Sequence, residues 1–216
     1  MRISARLLVV VMFVAPVVIS VTPALAPAQQ LDTAVARALS GIQNGVYESG
    51  SSLLARRTLR AHGTAQERAN AEILADSLMA MVLDTVSHRL TPKARIGIMI
   101  DLGSAGSNNP HDEPVFDGAK YRLARIAYEA PAARDRAMAA SQLIFIADSL
   151  FALDVLRSIA LSDDDYMSYI AVVRLWDGMQ NKGGIAVLKE LWDSDSVKSP
   201  LARRSLFAQA RKYGWK

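Results

Sequence analysis

The 216-residue chain contains no cysteine. That absence excludes a disulfide framework, thiolate zinc sites, thiol nucleophiles and dithiol redox pairs in one step. Histidine is almost as scarce: His62, His88 and His111 are too far apart for the i, i+4 geometry of a helical metal site. The chain also lacks a G-x-S-x-G elbow, an S-x-x-K pair, an H-E-x-x-H helix and a G-x-x-x-x-G-K-[ST] phosphate loop. These gaps argue against an enzyme, and the expectation is no metal and no cofactor. A protein without disulfides must hold itself together by packing, and a hydrophobic fraction of 51% makes that feasible.

Long apolar runs are confined to the N-terminus, which reads MRISARLLVVVMFVAPVVISVTPALAPAQQ. Arg2 and Arg6 precede an apolar stretch from Leu7 to Val21, and Ala-Leu-Ala and Ala-Pro-Ala tripeptides end at Ala26 and Ala28. This is the layout of a cleaved secretory signal peptide over residues 1–28. The apolar stretch is interrupted by Pro16 and is shorter than the roughly 20 residues a spanning helix needs. No membrane span is therefore expected after cleavage, and the destination is a bacterial periplasm or the extracellular space. Removing Arg2 and Arg6 from 25 basic residues leaves 23 against 21 acidic ones, a balance of only +2. Such near-neutrality argues against nucleic acid as a partner. Residues 29–216 suit a single domain.

Within that domain the periodicity is helical nearly throughout. In TAQERANAEILADSLMAMVLDTVSHRL, Thr64 and Glu67 have capping-box spacing, and Leu74, Leu78, Met81, Val82 and Thr85 form one stripe, predicting a helix over 65–88. Further helices are predicted at 32–44, 51–61, 92–102, 115–130, 133–147, 149–161, 164–179, 182–193 and 200–213. The segment TPKARIGIMIDLG poses a choice. Ile96, Ile98, Ile100 and Leu102 alternate like a strand, but Thr91 before Pro92 is a helix opening, which favours a helix closed by Gly103. The stretch GSAGSNNPHDEP, residues 103–114, then reads as a junction loop rich in turn residues.

The second half is self-similar at a spacing of 32 residues. Leu143, Leu175 and Phe207 share that spacing, as do Ala139 with Ala171, Leu156 with Leu188, and Asp163 with Asp195. One such unit holds two helices and two short turns. The runs AASQLIFIADSLFALDVLRSIALSDDD, AVVRLWDGMQNKGGIAVLKELWDSDS and LARRSLFAQARKYG resemble HEAT-type helical repeats of the short class. The resemblance implies an all-α fold, a right-handed α-solenoid of about five stacked antiparallel helix pairs. Tetratricopeptide repeats are the rival geometry. Arg203-Arg204 replaces the small apolar residues of earlier units, as a terminal cap should.

The acidic run Ser162-Asp163-Asp164-Asp165 does not read as a calcium loop, because Ser168 and Arg174 stand where its glycine and distal glutamate belong. It reads instead as an N-cap with acids in a helix's first turn. By the resemblance, the helices carrying Arg134, Arg136, Arg174, Arg203 and Arg204 line the concave face of the solenoid, with Tyr166 and Tyr169 beside them. Arginine forks and tyrosine rings suit a protein or peptide partner, and these seven are the candidate binding residues. The expected function is an exported interaction scaffold. Two alternatives stand beside it: an enzyme or small-ligand protein with a polar site in the 103–114 loop, and a structural subunit that self-associates through an end of the array.

Overall fold

A computed structural model of the chain describes residues 33–43, 49–61, 63–85, 90–107, 115–147, 150–177 and 182–216. The expected signal segment therefore lies outside the described residues. Ten helices account for most of what is described, and no strand occurs among these residues. They are α1 (Thr33–Gln43), α2 (Ser49–Arg60), α3 (Ala65–Leu83), α4 (Pro92–Gly106) and α5 (Gly118–Glu129), followed by α6 (Ala133–Ala147), α7 (Leu150–Ala160), α8 (Asp165–Asp177), α9 (Lys182–Asp193) and α10 (Pro200–Tyr213).

Local chemistry sets several of these boundaries. The Thr64 hydroxyl accepts the Glu67 amide at 3.1 Å while the Thr64 amide donates to the Glu67 carboxylate at 2.8 Å, a complete capping box that starts α3. Thr91 and Ser199 each accept an amide three residues on and are each followed by proline, which opens α4 and α10. Asp164 accepts the Met167 amide at 2.9 Å, so the acidic run does cap α8. At the far end, Gly214 adopts the left-handed conformation that closes α10.

Two boundaries depart from expectation. α3 ends at Leu83, with Leu74, Leu78, Met81 and Val82 buried and Thr85 exposed beyond the helix. α4 is helical, which resolves the strand alternative, but it runs through Gly103 to Gly106 instead of stopping at the first glycine. A Cβ on Gly103 would lie 3.0 Å from the Cβ of Gln142 on α6, and one on Gly106 would lie 2.9 Å from the Cβ of Ala119 on α5. Both glycines thus permit close helix approach, and of the expected 103–114 loop only Ser107 is described as non-helical. Residues 108–114 lie outside the described residues.

Each helix packs on the next in sequence and on the next but one, and no extensive contact joins helices farther apart. A continuous apolar core runs from Val35 to Leu206 through these contacts. Polar side chains reinforce the second-neighbour contacts. Ser52 of α2 reaches Asp101 of α4, Arg95 of α4 reaches Asp135 of α6, Arg122 of α5 reaches Glu72 and Asp76 of α3, and Arg157 of α7 reaches Glu190 of α9. Between α8 and α10, the Ser199 hydroxyl donates to the Asp165 carbonyl at 3.0 Å. The N-terminal ends of α4 and α6, and those of α8 and α10, therefore meet.

Candidate functional site

The seven candidate residues fall on α6, α8 and α10, and their environments differ. Arg134 is exposed. Its neighbour Asp135 turns inward, where its carboxylate accepts the Arg95 Nε at 2.7 Å and also the Arg95 Nη2. Arg136 folds back on the chain, donating to the carbonyls of Ala130 at 3.0 Å and Pro131 at 3.2 Å, and so fixes the turn into α6. Of the three consecutive residues, Arg134 alone presents its charge outward without one of these bonds.

On α8, Tyr166 is 57% exposed and Tyr169 is half-buried against the core. Arg174 lies eight residues beyond Tyr166, about 12 Å along the helix axis, and is 3.7 Å from Asp177. It belongs to the opposite end of α8 from the tyrosines. On α10, Arg203 pairs with Asp195, whereas Arg204 is exposed and has no ion-pair partner among the described residues. Asp195 holds a left-handed backbone at φ 45°, a conformation aspartate tolerates better than most residues.

Arg134, Tyr166, Arg203 and Arg204 therefore share one property: each lies in the first turn or so of its helix and is exposed. The cap that joins α10 to α8 sets Arg203 and Arg204 at the same end as Tyr166. Nearby, Lys198 donates to Asp163 at 2.8 Å, and that hydrogen bond holds the Asp163 carboxyl below its ordinary range. Arg136 is tied to two backbone carbonyls, Tyr169 is half-buried against the core, and Arg174 lies at the far end of α8 near Asp177.

Sequence reasoning passed over Asp101, which is buried between α2 and α4 at 2% exposure. Its carboxylate accepts the Ser52 hydroxyl at 2.7 Å, and Arg56 Nε lies 3.1 Å away. Burial pushes this carboxyl up to about 7. Nothing local marked it, because its partners lie more than forty residues upstream. Exposed Tyr121 and Tyr128 on α5 were also passed over.

The alternative site around His111, Asp112 and Glu113 lies outside the described residues, as do His62 and His88. Among the described residues, no cluster of three or more histidine, aspartate or glutamate side chains could hold a metal ion. No helix among them is long and apolar enough to cross a membrane. Comparisons with protein-family models, curated proteins and solved structures give no match.

Proposed function

We propose that this chain is an exported, non-enzymatic protein- or peptide-interaction module whose helices form a HEAT-like stack of about five antiparallel pairs. The contact pattern supports the stack. Helices whose extensive contacts are with first and second neighbours fall into an even row, α2 to α10, and an odd row, α1 to α9. Packing is more extensive along the even row overall, as expected for the inner side of a curved array. The candidate residues all belong to that row. Export rests on the signal-peptide layout of residues 1–28.

The observation that carries the reading is the exposure of Arg134, Tyr166, Arg203 and Arg204 near the N-terminal ends of successive even helices. Guanidinium groups with an intervening aromatic ring offer carboxylate pairing and apolar contact along an extended polypeptide. The test compares purified wild-type chain with the Arg134→Glu/Tyr166→Ala variant as baits in the native envelope fraction. A partner recovered by the wild type and lost with the variant, whose helical content is unchanged by circular dichroism, supports the module. Equal recovery by both overturns this placement of the binding face.

A further inference from the structure

Between α9, the 194–199 connection and α10 lies a cavity of 680 Å³. Small-molecule sites commonly measure roughly 300–1,000 Å³. Buried Leu191, Val197 and Leu206 give the cavity an apolar lining. Trp192 and Phe207 add aromatic surface, their ring centroids 6.1 Å apart and their planes tilted by 52°. Phe207 is 53% exposed, whereas Leu143 and Leu175 at the same repeat position are buried. The register thus reserves an apolar position that no later helix among the described residues covers.

The charges around this cavity do not cancel. Asp193 is held by Lys189 at 2.5 Å, and Asp195 is held by Arg203. Arg204 also lines the cavity and has no ion-pair partner among the described residues, while the main-chain oxygen of Lys216 accepts the Trp192 indole N–H at 3.4 Å. An apolar interior edged by one unpaired guanidinium selects an apolar body bearing an anion, because the body gains by leaving water and the anion gains a charge-assisted hydrogen bond. The lining residues on α10 run only from Arg203 to Phe207, about 6 Å of helix axis. A docked helix anchors through residues spread over i to i+7, about 10 Å, so a compact ligand suits the cavity better.

We infer that this cavity binds a small apolar carboxylate, its hydrocarbon or aryl body against Trp192 and Phe207 and its carboxyl on Arg204. The site shares Arg203 and Arg204 with the proposed polypeptide-binding face, whereas Arg134 and Tyr166 do not line it, so variants at those two residues separate the readings. The probes are decanoate below its micellar range, decanol, decylamine, and a peptide ending in phenylalanine with a free carboxyl. Each is titrated into the purified full chain by calorimetry, with tryptophan emission as a second readout.

Decanoate is expected to bind one per chain, at least about tenfold tighter than decanol and tighter still than decylamine, the margin of a hydrogen bond to a charged group. Arg204→Gln should erase the preference for acid over alcohol, and Phe207→Ala should weaken both. Arg134→Glu should bind decanoate as the wild type does. The inference is overturned by absence of saturable decanoate binding to chain shown folded by circular dichroism, by equal affinity for acid and alcohol, or by an Arg204→Gln variant indistinguishable from wild type. It is also overturned if the peptide alone binds, since the occupant is then a polypeptide. Loss of the envelope partner with Arg134→Glu/Tyr166→Ala is scored separately, so either reading can fail without the other.

Discussion

Arg95 and Asp135, forty residues apart in sequence, form an ion pair with side-chain exposures of 8% and 4%. The same guanidinium donates to the Val82 carbonyl at 2.6 Å, so one side chain ties together the end of α3, the start of α4 and the start of α6. Breaking the pair leaves a buried charge without its counterpart. Asp135→Asn or Arg95→Met should therefore destabilise the fold by about 3–5 kcal/mol, and Arg95→Met/Asp135→Leu should recover much of that loss. Urea unfolding of the four proteins measures both effects. Single variants as stable as wild type would refute the role assigned to the pair.

Asp101 predicts an unusual pH response. Its folded carboxyl titrates near 7, above the ordinary value of 3.8, so the folded state holds a proton more tightly than the unfolded state. Its contribution to stability is full below pH 4 and is lost as pH rises through 7. The melting temperature of the wild type should accordingly fall between pH 5 and pH 8, and Asp101→Asn should flatten that fall while retaining a partner for the Ser52 hydroxyl. Thermal scans across this range test it, and parallel curves for the two proteins would count against the assignment.

Gly184 on α9 approaches the backbone of α8 more closely than any side chain could. A Cβ placed there would lie 2.4 Å from the Leu175 carbonyl oxygen, which cannot move without displacing α8. Gly184→Ala should thus cost about 1–3 kcal/mol, despite the gain of about 1 kcal/mol that alanine offers within a helix. Gly103→Ala meets mainly the movable end of Gln142 and should cost less. Denaturant midpoints rank the two variants.

Ser199 both caps α10, accepting the Ala202 amide at 3.1 Å, and fastens that cap to α8 through Asp165. Ser199→Ala should lose about 1–2 kcal/mol. Amide exchange should accelerate first in the opening turn of α10, next to Arg203 and Arg204. A uniform acceleration over the whole chain would instead mean that the cap acts globally.

Helix starts were legible in the sequence because a cap is a local device. Thr64 with Glu67 and Thr91 with Pro92 each carry their signal within four residues, and each opens a helix in the structure. Gly103 misled for an equally physical reason. Glycine ends helices, but it also lets two helices touch, and only the position of Gln142 distinguishes the two uses. The arginines were the least legible. Arg134-Asp135-Arg136 is one charged cluster on paper, yet it supplies an exposed cation, a buried anion and a turn clamp. Those roles depend on partners set by tertiary packing. The cavity at α9 and α10 was likewise hidden, because the repeat marked Phe207 as a core position and did not show that it would lie half open.

The restriction of helix contacts to first and second neighbours has a mechanical consequence. Among the described residues no extensive contact closes a long loop on a distant helix, so topology places little entropic delay on folding. Nor need the molecule open all at once. Loosening α10 removes its main contacts, with α8 and α9, and leaves the extensive packing among α1 to α7 in place, so protection against amide exchange should decline toward the terminal helices. A ligand seated at the α10 end would act as a clasp on one terminus of the packed helices.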